Sequence, residues 1–400
     1  MKLIKAHITN FRSIEDSGEF TITDLNCLVG KNEAGKSAIL DALHGLKPYR
    51  SFSYDKIRDY PRRFLAKYSE RHKNEKSAVV KTTWALSESE IESVNEELGD
   101  GVFTQKEIKI TSFIGSGNEW DIVIDQKKCI QEAATQSRLN AAELGQIKNI
   151  VSTEEFVEKI GLLETPSEKL TNISKQFKLY RKNRASLKAI DILEAFMPHF
   201  FLTSHFDRMS GEISLTALRT AKKQDKVTPG DQIFLDFIEY AGTSLEELDD
   251  ASRYEELKAQ CEGASNDITD EIFQFWSQND AISVKIELGE GRSGDPEPFN
   301  EGSIAKIRIE NSNHRASIPL SERSAGFVWF FSFLSQFKQL SKTTGEVILL
   351  LDEPGLTLHG KAQADLLKYI EERLLPDHQV IYTTHSPFLV PAQKLDKVRV

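Results

Sequence analysis

Cysteine is scarce, with three in 400 residues. Cys27, Cys129 and Cys261 are too widely separated for a redox pair or a metal-ligand cluster, which excludes a disulfide framework. Each is expected as a small buried or half-buried residue. No uninterrupted apolar run approaches the ~20 residues that span a bilayer, and the opening segment MKLIKAHITNF has no signal-peptide pattern. A cytoplasmic protein with no membrane partner is the expectation. Sustained heptads and internal repeats are missing, which argues against a long coiled-coil arm. Positive charge is in deficit: the net charge of −10 excludes a protein basic overall that coats nucleic acid, while leaving room for a local basic stripe.

What is present first is a phosphate grip. In LVGKNEAGKSAILDALHG, residues 28–45, Gly30, Gly35, Lys36 and Ser37 fit the G-x-x-x-x-G-K-[ST] loop, whose backbone N–H groups form a concavity suited to nucleotide oxygens. Lys36 would reach the outer phosphates and Ser37 would place its hydroxyl on Mg2+. Residues 25–29, LNCLV, suit a buried strand. After the loop, Ile39, Leu40, Leu43 and Leu46 lie on one helical face, so strand, loop and helix follow in the required order. The candidate nucleotide-binding stretch is therefore Gly30, Lys31, Asn32, Glu33, Ala34, Gly35, Lys36, Ser37 and Ala38. The alternative is a glycine turn with an incidental lysine.

A matching acid pair lies near the other end, in EVILLLDEPGLTLHG. Residues 347–351 read as a strand buried on both faces that delivers Asp352 and Glu353 to its C-terminal tip. Asp352 is the candidate Mg2+ holder, through the ion's water shell. Glu353 is the candidate catalytic group that polarises the water attacking a γ-phosphate. Between Lys36 and Asp352 the separation is 316 positions, far more than a compact GTPase or nucleoside kinase requires.

Between these parts the patterning changes twice. Residues 2–11, 18–22, 78–86, 107–115 and 119–125 read as strands, the last two as a hairpin around residues 115–118, and Ser87 with Glu90 can form a capping box. From about residue 127 polar helix formers dominate, interrupted by one apolar strand in PHFFLTSHF. Strand pattern returns with AISVKIELGEG and IAKIRIENSN. The expected division is an N-terminal half-domain with the phosphate loop over 1–126, a mainly helical insert over 127–275, and a C-terminal half over 276–400.

A long insertion between two halves of one ATPase head resembles the ABC-type DNA-repair and SMC-like ATPases. LSERSAGFVWFFSFLSQF looks like an ABC signature loop, with Ser321, Arg323, Ser324 and Gly326 before an apolar helix. In VIYTTHSPFLV, His385 holds the place of the switch histidine near the γ-phosphate. Within that group, NFRSI, SERSAGFVWFFSFLSQF, DEPGLTLHGKAQADLL and THSPFLV are similar to the ATPase region of the OLD family, the overcoming-lysogenization-defect nucleases. The likeness is tight over roughly the first 50 and last 85 residues.

The resemblance implies an α/β fold, an ABC-type P-loop ATPase head with a mixed sheet and flanking helices, interrupted by a mainly helical dimerisation insert. It implies ATP and Mg2+ as cofactors, Arg12 near the nucleotide, and signature residues acting on the nucleotide of the opposite subunit. A homodimer or higher oligomer, DNA, and a nuclease domain or separate effector are the implied partners, in phage defence or DNA repair. OLD proteins continue into a Toprim nuclease that uses an Asp-x-Asp pair. The sequence here ends at KLDKVRV and holds no Asp-x-Asp, so nuclease chemistry is not expected from these residues. A different class of function also fits: an ATP-gated structural or sensing module with slow turnover, whose effector is another protein.

Two basic clusters stand out for DNA contact. Lys56, Arg58, Arg62, Arg63, Lys67, Arg71, Lys73 and Lys76 are interleaved with Tyr54, Tyr60 and Tyr68, and Lys175, Lys178, Arg181, Lys182, Arg184 and Lys188 lie in the helical segment. The plain alternative for both is a solvated face.

Overall fold

A computed structural model of the chain describes residues 1–31, 33–249, 254–275, 282–311 and 316–399. In chain order the strands are β1 (Lys2–Phe11), β2 (Ile14–Thr21), β3 (Leu25–Val29), β4 (Ala78–Ala85), β5 (Glu107–Phe113), β6 (Ser116–Asp121) and β7 (His199–Ser204). They continue with β8 (Glu212–Ser214), β9 (Ile282–Glu290), β10 (Ser303–Asn311), β11 (Ala316–Pro319), β12 (Val347–Asp352), β13 (Gln379–Thr384) and β14 (Val398–Arg399). The chain divides into two compact units, one of Met1–Thr23 with Gly45–Pro198, the other of Asp24–His44 with His199–Val400.

The first unit holds an antiparallel sheet in the order β2-β1-β4-β5-β6. Leu3, Ala6, Ile8 and Phe11 of β1 are fully buried, so the strand has one core face. The turn from β1 to β2 passes through Arg12 at φ +49. The hairpin of β5 and β6 turns at Gly115, φ +72. Its second strand starts at Ser116, three positions before the apolar alternation begins, because the tight glycine turn fixes register before side-chain pattern can. Helices follow, and most begin at a polar residue that accepts from the first turn: Ser87 for Glu88–Leu98, Asp125 for Gln126–Gln136, Asn140 for Ala141–Ile147, Ser152 for Thr153–Gly161 and Ser167 for Glu168–Lys178. The expected capping box of Ser87 and Glu90 is present, satisfying N–H groups that the helix start leaves open.

The second unit carries a parallel sheet in the order β14-β3-β13-β12-β7 and an antiparallel group in which β10 pairs with β11, β8 and β9. The inner strands of the parallel sheet are buried along their length, β12 as an apolar run from Val347 to Leu351 and β13 throughout, with Gln379, Thr383 and Thr384 as buried polar residues at its ends, as strands covered on both faces must be. Helix Ala325–Thr344 is buried over most of its circumference, with Trp329, Phe330, Phe331, Phe333 and Leu334 at 1% exposure or less. Lys338 on this helix bonds Asp267 at 2.7 Å and Glu271 at 2.6 Å on helix Tyr254–Phe275.

This strand order governs the rest. β3, β13 and β12 are parallel neighbours, so their C-terminal tips share one edge. The segments after residues 29, 352 and 384 therefore meet there despite their distance in sequence. The segment 127–275 is shared between the units, 127–198 in the first and the remainder in the second. The expected boundary after 275 adjoins residues outside the described set.

Candidate nucleotide-binding site

The phosphate loop leaves β3 and enters helix Lys36–His44. Gly35 has φ +95, a backbone that a side chain would strain. Glu33 adopts φ +64 without being glycine. Asn32 lies outside the described residues. Lys31, Glu33 and Ala34 are exposed, whereas Ala38 is buried in the helix. Lys36 is 9% exposed. Its Nζ donates to the carbonyls of Gly30 and Lys31, each at 3.1 Å, and lies 3.0 Å from His385 Nε2. Ser37 is exposed, and its hydroxyl donates to Asp352 Oδ1 at 2.8 Å.

Asp352 and Glu353 close the strand tip. Thr383 Oγ1 donates to Asp352 Oδ1 at 2.7 Å and accepts from the Glu353 N–H at 2.8 Å. Glu353 has φ +50, a conformation that costs a non-glycine residue about 1–3 kcal/mol and persists where its surroundings enforce it. Its carboxylate faces His385 twice: Oε2 accepts the His385 backbone N–H at 3.2 Å, and Oε1 lies 3.1 Å from the ring Nε2. One ring nitrogen cannot accept from Lys36 and donate to Glu353 at once. Bare Nε2 takes the lysine, and protonated Nε2 takes the carboxylate.

Four expected residues, Lys36, Ser37, Asp352 and Glu353, are thus brought together with the fifth, His385. Thr383 was not anticipated. Its signal is faint, a buried polar residue two positions before His385 in TTHS. Gln363 was also missed.

The signature segment forms a turn before helix Ala325–Thr344, with Ser324 at the N-cap position. Ser321 and Ser324 are exposed and Arg323 is half-buried. Among the described residues, neither the Ser324 hydroxyl nor the Arg323 guanidinium bonds another side chain. Gly326 is there for room: a Cβ on it would come 2.0 Å from Leu358 Cδ2. Leu358 also fills the space beside Gly355, so one side chain separates the signature helix from the segment that follows Glu353. Arg12 belongs to the other unit, where its Nε donates to Asp59 Oδ1 at 3.2 Å. Burial opposes charge on Asp59, but the Asp55 N–H, Arg58 and Arg12 outweigh it and hold the carboxyl below its usual range.

The three cysteines are all buried, and burial pushes Cys27 and Cys261 up to about 11 and Cys129 to about 12. Among the described residues no group of three or more His, Cys, Asp or Glu could cage a metal, and no helix is long and apolar enough to cross a membrane. The oxygen pair of Ser37 and Asp352 is instead a donor set that fits Mg2+, which keeps waters and substrate phosphates in its shell.

The basic clusters are partly spent on internal partners. Lys56 lies 4.1 Å over Tyr68, and Arg71 lies 4.0 Å over Phe64 and 3.5 Å from Glu15. Arg58 pairs with Asp59, and Lys76 with Glu119. Arg62, Lys67 and Lys73 are exposed, and their side chains bond nothing among the described residues. In the second cluster Arg181 pairs with Asp191 and Arg184 with Glu154, both at 2.8 Å, and Lys188 lies 3.5 Å from Glu97.

A glycine-bent phosphate loop and an acid pair on one edge of a parallel sheet define a P-loop nucleotide hydrolase. The chain belongs to the AAA ATPase domain family, whose model matches residues 1–390. As a member of that family it carries an ATPase domain, which implies nucleotide binding, and its fold is the mixed α/β fold expected. An uncharacterized protein of Methanocaldococcus jannaschii is 31% identical over 130 residues, 31% of each chain, so the matched part spans under a third of that relative's length. Among solved structures, an SMC head bound to the C-winged-helix domain of ScpA is similar at TM-score 0.42 and 12% identity, over 97% of this chain and 91% of that one. The SMC head domain of Thermotoga maritima gives TM-score 0.35 and 12% identity, over 100% and 93%.

Proposed function

We propose that the protein is a Mg2+-dependent ATPase head of the ABC type that works as a homodimer or higher oligomer and couples its nucleotide state to DNA and to a nuclease or other effector. The observation that carries the reading is the contact of Ser37 Oγ with Asp352 Oδ1 at 2.8 Å, beside Glu353. When bound there, Mg2+ would supply charge neutralisation for the phosphates. Ser37 and Asp352 would hold it. Lys36, freed from its loop carbonyls, binds the outer phosphates. Glu353 orients and deprotonates the attacking water, and His385 adjusts the freedom of that carboxylate by choosing between it and Lys36.

The oligomer is supported by the signature turn, where Ser324 is exposed and, among the described residues, no side chain bonds it or Arg323. Donors at a helix N-terminus suit an anion, here the phosphates held by a second copy. DNA contact is assigned to Arg62, Lys67 and Lys73. The likeness to OLD proteins supports a role in phage defence or DNA repair.

The test mixes subunits. Lys36→Ala and Ser324→Arg chains, each inactive alone, should regain part of the turnover on mixing, because a heterodimer retains one site with an intact loop and an intact opposing signature. Heterodimers that form without any recovery would overturn the shared site.

A further inference from the structure

One buried amide ties the two catalytic segments together. Gln363 lies in the first turn of helix Gly360–Tyr369 and is 6% exposed. Its Nε2 donates to the carbonyl of Gly355 at 3.1 Å, two residues past Glu353. Its Oε1 accepts from Ser386 Oγ at 2.5 Å, one residue past His385. The orientation is determined, because a carbonyl can only accept: the nitrogen must face Gly355, which leaves the oxygen for the hydroxyl. Ser386 is itself held, its N–H donating to Thr384 Oγ1 at 3.0 Å and its Oγ accepting from the Phe388 N–H at 3.2 Å.

The segment after β12 and the segment after β13 are therefore bridged within two residues of the carboxylate and the imidazole that must converge. Between those segments, the Glu353 carboxylate and the His385 backbone meet through a longer contact of 3.2 Å. That contact involves the reacting carboxylate itself, so it cannot set that carboxylate's place independently. We propose that Gln363 is a positioning residue for hydrolysis: without touching nucleotide, it fixes where Glu353 stands relative to His385. The inference rests on the ATPase reading. Removing the amide leaves the buried Gly355 carbonyl and the half-buried Ser386 hydroxyl short of a partner, which drives the segments apart toward water. A displacement on the order of 1 Å at a catalytic group lowers turnover about 100-fold.

Four variants of the full chain decide it: Gln363→Leu, Ser386→Ala, the two combined, and Gln363→Glu. With Gln363→Leu, equilibrium ATP binding should stay within about twofold while kcat falls roughly 10- to 100-fold. Ser386→Ala should lose less, and the double variant should be no worse than Gln363→Leu alone, since both remove one bridge. Gln363→Glu can serve both partners only when protonated, so its turnover relative to the parent should rise as pH falls. A packing role would not produce that. Hydrogen–deuterium exchange provides a readout independent of turnover: Gln363→Leu should raise exchange in peptides covering 353–358 and 384–389 and leave the other peptides unchanged. Parental kcat in Gln363→Leu, loss of binding in step with kcat, or unchanged exchange in both segments would overturn the proposal. A parent chain that binds ATP without hydrolysing it would defeat the ATPase reading instead, and the exchange comparison would still judge the bridge.

Discussion

The two candidate nucleotide contacts of the second unit differ in how they are wired. Around the phosphate loop, each of the five groups brought together has a partner in the same chain: Lys36 with two carbonyls and His385, Ser37 with Asp352, Glu353 with His385. At the signature turn Ser324 faces outward and Arg323 bonds no other side chain among the described residues. A cross-bonded cluster is preorganised by its own fold, whereas an unpartnered serine and guanidinium have their chemistry ahead of them.

The comparison is broken most strongly at Lys36. Lys36→Ala should weaken ATP binding by at least about 100-fold, since charge-assisted bonds to phosphate are lost with the cation built into the loop's floor. Binding measured at equilibrium within a few-fold of the parent would place the phosphates elsewhere. Glu353→Gln should separate binding from chemistry, retaining affinity while turnover falls roughly 100- to 1000-fold. Parental turnover in a steady-state phosphate-release assay would remove Glu353 from its role.

Arg323→Ala sharpens the contrast, because its effect should depend on association. ATP affinity should be unchanged at dilute, monomeric concentration, and turnover should fall about tenfold at concentrations where the parent shows its full rate. A fall in affinity at all concentrations would mean that Arg323 serves its own chain's nucleotide. The smallest effect belongs to the basic clusters. Arg62→Ala with Lys67→Ala should lower DNA affinity and reduce the slope of log K against log salt by roughly one unit per residue. Arg184→Ala, which removes a charge already paired with Glu154, should leave that slope unchanged.

Much of the site was legible because its chemistry demands fixed spacing. Gly30, Lys36 and Ser37 are spaced by the loop's geometry, and Asp352 with Glu353 end an apolar run that only a buried strand explains. Thr383 and Gln363 escaped notice since each acts through one or two hydrogen bonds that exist only once β12 and β13 lie side by side. Short strands were lost for a related reason: β8 spans Glu212–Ser214 and is defined by its partner β10, not by any periodicity of its own. The helical stretch after residue 127 looked like one insert because composition is read along the chain. Its division between two compact units depends on strand β7 pairing with β12, a contact that no local window contains.

Thr383 has a consequence that follows from counting hydrogens and lone pairs. Its hydroxyl has one proton, and that proton goes to Asp352 Oδ1 while the oxygen receives the Glu353 N–H. Asp352 Oδ1 also receives the proton of Ser37, so the two in-plane lone pairs of that oxygen are already occupied. The polarity of the whole chain of bonds is then fixed in one direction, from the Glu353 amide to the Asp352 carboxylate. An incoming ligand has two ways to reach the aspartate: through Oδ2, or by turning the Ser37 proton away. In the second case a single rotation about the serine Cβ–Oγ bond would convert the donor that now seals the site into an acceptor aimed at a cation.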